Sequence, residues 1–170
     1  DDNFSTIVSA IYQGRVIFDN IKKFIIFLLA TNCGEVLIVI LSLLFLTDQG
    51  RFLLPLLPIH LLWINLVTDG FPALALSVEK GEGQIMQRGP NNPNESILKG
   101  SVSFIVIAGL LVALGVIILF NYYQQISIVL ARTVALTTVI LFELFLVFTC
   151  RSKESLFKVG FFSNRWLLLA

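Results

Sequence analysis

LLWINLVTDGFPALAL, residues 61–76, decides how the rest of this chain is read. It is apolar enough to lie in a bilayer, yet it carries Asn65, Thr68 and Asp69, followed at once by Gly70 and Pro72. A carboxylate in hydrocarbon costs about 3 kcal/mol or more on insertion scales, and the stretch holds no basic residue to neutralise it. On an α-helix Asn65, Thr68 and Asp69 fall at i, i+3 and i+4, so three oxygen-bearing side chains share one face. Pro72 lacks an N–H and crowds the carbonyl of the turn before it, and Gly70 lowers helix propensity by about 1 kcal/mol. The helix is therefore expected to be interrupted near Gly70. Freed backbone carbonyls beside three side-chain oxygens at membrane depth have the make-up of a cation site.

The 170 residues are 56% hydrophobic, too apolar for a soluble domain of this size. The expected fold is all-α, a polytopic membrane helix bundle with four complete transmembrane helices and a partial fifth. The spans are expected at residues 24–46, 54–78, 101–120 and 132–150, each long enough to cross a hydrocarbon core with about 20 residues. Residues 1–20 read as an amphipathic helix that runs into the first span, with Asp1, Asp2, Asn3 and Ser5 available as caps. Residues 79–100 form a polar loop rich in Gly, Pro and Asn, and residues 161–170 start a further, truncated span. Without an initiator Met, and ending inside an apolar run, the sequence reads as a piece of a longer chain. The net charge of +1 gives no ground for a nucleic-acid partner; the partner implied is the lipid bilayer. Cys33 and Cys150 match no metal spacing and read as small core residues. Gly109 and Gly115 read as close-packing positions, His60 as an interfacial residue, and the basic run from Arg151 as a topology signal.

Positive charges set the expected orientation. Arg15, Lys22 and Lys23 precede span one, Lys80, Arg88 and Lys99 lie between spans two and three, and Arg151, Lys153, Lys158 and Arg165 follow span four. Those three regions should face the cytoplasm. Counted from that side at about 1.5 Å per residue, Glu35, Asp69 and Glu143 lie roughly 16, 14 and 11 Å deep. Three carboxylates at similar depth form an incomplete charge set: either they are protonated or a cation joins them. Glu143 lies nearest an end, where water could reach it, and is expected to contribute least. Asn32 stands three residues before Glu35 on the same helical face. The candidate donors Asn32, Glu35, Asn65, Thr68, Asp69 and Glu143 are all hard oxygen ligands, a set suited to Ca²⁺. A lone Asn or Thr in a membrane helix is more often interhelical glue than a ligand, whereas an intramembrane carboxylate is functional by default.

DDNFSTIV, then NCGEV in span one, LLWINLVTDGFPALAL in span two and TVAL…FEL in span four resemble the C-terminal membrane part of the P-type cation-transporting ATPases. The resemblance is to calcium pumps of the sarco/endoplasmic reticulum type and their bacterial relatives, and it covers nearly the whole chain. It implies that the four spans are the fifth to eighth of ten and that residues 1–20 leave the phosphorylation domain. It also implies that Asn32 and Glu35, then Asn65, Thr68 and Asp69, then Glu143 are cation ligands, with Asp69 bridging two ions. The resemblance further implies Ca²⁺ as the transported ion, with Mg²⁺ and ATP bound outside these residues, because the DKTGT and TGDG motifs and the PEGL span are absent. Partners implied are the remaining spans and cytoplasmic domains of the same chain. Sodium/potassium pumps carry an Asp where this chain has Asn65, which sets calcium ahead of sodium. A short connection between spans three and four favours a bacterial cell membrane over an organelle membrane. The rival readings are a pump for Na⁺, K⁺ or Mn²⁺, a cation channel or secondary transporter that uses no ATP, and a structural membrane module with protonated carboxylates.

Overall fold

The computed structural model describes residues 4–48, 51–81, 85–89, 96–152 and 167. The caps expected at residues 1–3 lie outside the described residues. So do the basic run beyond Arg151 and, apart from Leu167, the partial fifth span.

The first helix, α1 (Phe4–Phe45), is one rod of 42 residues. At about 1.5 Å per residue it is roughly 63 Å long, twice the hydrocarbon thickness of a bilayer. The amphipathic helix and first span expected from the sequence are thus one element. No Pro interrupts it, and of its two glycines, Gly14 and Gly34, the second serves packing. The turn after it closes with a two-residue antiparallel ladder, β1 (Thr47–Asp48) with β2 (Arg51–Phe52), in which Thr47 faces Phe52. This ladder leaves the fold all-α.

The second span starts later than the expected residue 54. Helix α2 (Pro58–Trp63) has its proline in the first turn, where the missing N–H costs no hydrogen bond. His60, expected to be merely interfacial, closes that end: the Leu57 N–H donates to its Nδ1 at 3.3 Å. A π-helical segment, Ile64–Thr68, then leads into α3 (Gly70–Ser77). Helix α4 (Val102–Tyr123) and α5 (Ile128–Arg151) both extend beyond the spans expected. Arg132 therefore sits inside α5, where its Nε donates to the Leu54 carbonyl at 3.3 Å. Among the described residues four helices are long and apolar enough to cross a membrane: α1, Pro58–Ser77, α4 and α5.

Glycine sets the approach of α1 to α4. A Cβ on Gly34 would stand 2.5 Å from Val112 Cγ1, and one on Gly109 would stand 3.1 Å from the Gly34 nitrogen. Gly115 does not share this role, since a Cβ there would meet nothing within 4 Å among the described residues.

The buried side chains fall into two apolar clusters. One gathers Ile38, Ile64, Val116, Ala135 and Val139; the other gathers Phe27, Ala30, Ala73, Leu76, Leu146 and Val147. Between Ala30 and Ile38 on α1 lie Thr31 and Glu35; between Ile64 and Ala73 lie Asn65, Thr68 and Asp69; between Val139 and Leu146 on α5 lies Glu143. A polar layer is thus enclosed lengthwise by apolar packing on both sides.

Candidate functional site

The polar layer is built where the helix of the second span changes winding. The Asp69 N–H reaches back five residues to the Ile64 carbonyl at 2.9 Å, and α-type bonding resumes with the Ala73 N–H on the Asp69 carbonyl at 3.0 Å. Pro72 has no N–H to offer the Thr68 carbonyl, and its ring crowds that oxygen in a tight turn. A widened turn relieves the crowding, and π-bulges of this kind recur at functional sites. The interruption expected near Gly70 exists, and it lies on the N-terminal side of Gly70 as a wide turn with no break in the chain of helix. The consequence for the three polar residues is a changed face. Asp69 is fully buried, Thr68 is half-buried, and Asn65 is on the surface of the described chain.

Helix α1 runs antiparallel to this span, and two crosswise hydrogen bonds join them. The Thr31 hydroxyl donates to Asp69 Oδ2 at 2.6 Å, and the Asn65 Nδ2 donates to Glu35 Oε2 at 2.6 Å. Thr31 and Glu35 are one turn apart on α1, as Asn65 and Asp69 are on the facing span, so the pairing follows from the antiparallel register. Glu35 is 7% exposed and Glu143 is 2% exposed. Glu143 comes from α5, on the buried stripe Ala131, Ala135, Val139, Glu143, Val147, Arg151, and it lies within electrostatic reach of both Asp69 and Glu35.

Several expectations change here. Glu143 is not wetted from the end of the bundle; it is buried as deeply as Asp69. Asn32 is exposed and turned back on its own helix, its Nδ2 donating to the Leu28 carbonyl at 2.7 Å. Thr31 stands in the layer instead, a residue that the sequence reading passed over. Its signal was available: Thr31 is four residues before Glu35, on the buried stripe Phe27, Thr31, Glu35, Ile38, Ser42, which Asn32 leaves. The six candidate ligands are therefore not gathered into one shell. Glu35 and Asn65 form one pair, Thr31 and Asp69 a second, and Glu143 faces both. No three of His, Cys, Asp or Glu close around one point in metal-binding geometry among the described residues.

What the layer does have is unmet acceptor capacity. Glu35 Oε1, Asp69 Oδ1 and Glu143 Oε2 are buried and accept no hydrogen bond from the described residues. Buried carboxylate oxygens without donors are costly, and either a proton or a hard cation would satisfy them. No Lys or Arg stands within residues 24–46 or 54–78 to do so, and Arg132 of α5 is committed to the Leu54 carbonyl.

Residues 53–170 match the family model described as cation transporting ATPase, C-terminus. The chain is 41% identical over 172 residues to a protein of Bacillus subtilis (strain 168) named calcium-transporting ATPase, covering 99% of this chain and 19% of that one. It is 39% identical over 170 residues to a calcium-transporting ATPase of Listeria monocytogenes serovar 1/2a, again 99% and 19% of the two chains. It is 36% identical over 173 residues to a Mycobacterium tuberculosis protein named probable cation-transporting ATPase F, with the same shares. The chain thus spans about a fifth of the length of these relatives.

Proposed function

The chain belongs to the cation-transporting ATPase family, as its C-terminal part, and on that premise we propose that it is the ion-binding portion of an ATP-driven calcium pump. It is an integral, multi-pass membrane protein. The observation that carries the reading is the polar layer, in which three buried carboxylates from three helices each leave an oxygen without a donor, beside a widened helical turn. Glu35, Asn65, Thr68, Asp69 and Glu143 supply hard oxygen donors, and Asn32 joins them by its match to the family's first-span ligand. Such donors suit Ca²⁺, which takes about 6–8 oxygens at relaxed geometry, and the two named calcium-transporting relatives support that cargo.

In this reading ATP and Mg²⁺ act in the rest of the chain, outside these residues. Residues 1–20 leave the phosphorylated head, and α1 is the lever between head and site. A rod of 42 residues with Thr31 and Glu35 in its C-terminal half transmits displacement as a rigid body. Moving α1 against the second span would break the crosswise pairs Thr31–Asp69 and Glu35–Asn65, and so change the cation affinity of the layer. The end carrying Arg15, Arg88 and Arg151 would face the cytoplasm, by its excess of basic residues. The bacterial relatives favour a bacterial cell membrane.

The test is calcium-dependent phosphorylation from ATP in the full-length protein carrying Asp69→Asn. The substitution keeps shape and removes the charge that offsets the ion's desolvation. Loss of calcium-dependent phosphorylation is expected; retention of wild-type calcium affinity would overturn the assignment in favour of a packed, protonated carboxylate.

A further inference from the structure

We infer that the buried ion pair between Glu79 and Arg151, together with Asn20, is a positioning clamp that sets the register of the three carboxylate-bearing helices and thereby the cation affinity of the layer. The inference rests on the cation-site reading above. Arg151 is the last residue of α5 and is 1% exposed. Its Nε and one terminal guanidinium nitrogen donate to the two carboxylate oxygens of Glu79, each at 3.0 Å. Glu79 stands two residues past the end of α3, and its own backbone is held from the other side. Asn20 of α1, itself 4% exposed, donates from Nδ2 to the Glu79 carbonyl at 2.7 Å and to the Ser77 carbonyl at 3.2 Å. One residue is thus gripped by α1 through its main chain and by α5 through its side chain.

The three helices meeting at Glu79 are the ones that carry Glu35, Asp69 and Glu143. Arg151 stands on the same buried stripe as Glu143, about 12 Å further along α5 at 1.5 Å per residue. Asn20 stands on the same buried stripe as Thr31 and Glu35. Apolar packing between helices tolerates sliding, because dispersion contacts are non-directional. A two-point guanidinium–carboxylate contact does not, since its planar fork fixes both distance and angle. Breaking one half of a buried pair strands the other charge, while apolar replacement of both halves removes the directional contact without that penalty. Residues in the loop beyond Glu79 bind α1 again, through the Arg15 guanidinium on the Ile85 carbonyl at 2.8 Å and an Asp19–Arg88 ion pair, so α1 is held to this end of the second span at more than one point.

The experiment uses the full-length pump with Glu79→Leu combined with Arg151→Met, Arg151→Met alone, the charge exchange of Glu79→Arg with Arg151→Glu, and Asp69→Asn as reference. Two quantities are read: the calcium concentration for half-maximal phosphorylation from ATP, and phosphorylation by inorganic phosphate with Mg²⁺ in the absence of calcium. Arg151→Met and the apolar pair should raise the half-saturating calcium about tenfold while phosphorylation by inorganic phosphate stays. The exchanged pair should recover most of that loss. Wild-type calcium affinity in the apolar pair overturns the clamp, and so does equal loss of both phosphorylations in it, which would mark the pair as merely structural. Asp69→Asn separates the two readings: wild-type affinity there sinks the cation site itself, whereas its loss alongside a wild-type apolar pair sinks only the clamp.

Discussion

At the end of the bundle where α3 gives way to its loop, Glu79 meets Arg151 and Asp19 meets Arg88. Further along the same helices, within the bundle, Glu35, Asp69 and Glu143 meet no cation among the described residues, and each leaves an oxygen without a donor there. The same helices therefore hold charge in two ways. The paired end is complete as built, and the directional contacts there fix geometry. The unpaired layer is incomplete as built, and its energy falls only when something cationic or a proton arrives. Positioning and cation binding are in this way assigned to separate parts of the helices, and substitutions should separate them by size of effect.

The largest effect is expected from Asp69→Asn in the full-length protein, measured as ATP-driven uptake of radioactive calcium into vesicles. Transport should be lost altogether. Asp69 is the residue that the widened turn and α1 both reach, and no other carboxylate in the layer takes a hydrogen bond from Thr31. Residual transport near the wild-type level would erase the contrast between the two regions.

Glu143→Gln should act in the same direction and less severely, raising the calcium concentration for half-maximal phosphorylation about tenfold while the maximal level is kept. Glu143 brings one carboxylate from α5, and its helical neighbours one turn away, Val139 and Val147, bring no second donor. An effect equal to that of Asp69→Asn would mean that the layer binds its cargo as a single, indivisible shell.

Much of this contrast could be read in the sequence. The four helices follow from apolar runs of spanning length, and the three carboxylates stand out because nothing basic lies near them along the chain. The helix interruption followed from Gly70 and Pro72. Its form did not, because a proline's clash falls on a carbonyl four residues upstream, and relief by widening the turn depends on how the span packs. Thr31 could have been picked from its place four residues before Glu35, but not its bond to Asp69. Its partner is set by the antiparallel register of α1 against the second span, which no local pattern encodes. Arg151 read as a topology charge because Glu79 is 72 positions away. Gly109 and Gly115 look alike in sequence, yet only Gly109 faces another helix.

That last pair gives a prediction about stability. Gly109→Val would set a Cβ 3.0 Å from Cys33 Sγ and 3.1 Å from the Gly34 nitrogen, so α1 and α4 must separate. Overpacking of this sort costs about 1–3 kcal/mol, and the temperature at which the solubilised full-length protein unfolds should fall accordingly. Gly115→Val meets open space and should leave that temperature within the spread of the parent. Equal sensitivity at both positions would show that the α1–α4 contact does not limit stability.

The smallest expected effect tests which α1 side chain serves the layer. Thr31→Val keeps the shape and removes the hydroxyl that reaches Asp69 at 2.6 Å; Thr31→Ser keeps the hydroxyl and removes a methyl group. A hydrogen bond to a charged acceptor contributes about 1.5–3 kcal/mol, but a bound cation would take over part of that work, so only a fraction should appear in the affinity. Thr31→Val is therefore expected to shift half-saturating calcium about fivefold, with Thr31→Ser close to the parent. The direction of the shift carries the information. If the hydroxyl holds Asp69 in place for the cation, its loss weakens binding. If the hydroxyl occupies Asp69 in competition with the cation, its loss strengthens binding. Asn32→Ala is the partner measurement, since Asn32 is bonded to the Leu28 carbonyl and exposed, while the family resemblance implies that it is a cation ligand. A loss of affinity in Asn32→Ala larger than that in Thr31→Val would mean that this side chain leaves Leu28 and turns into the layer when the cargo binds. A loss confined to Thr31→Val would leave the antiparallel pairs Thr31–Asp69 and Glu35–Asn65 as the arrangement from which the cation is bound.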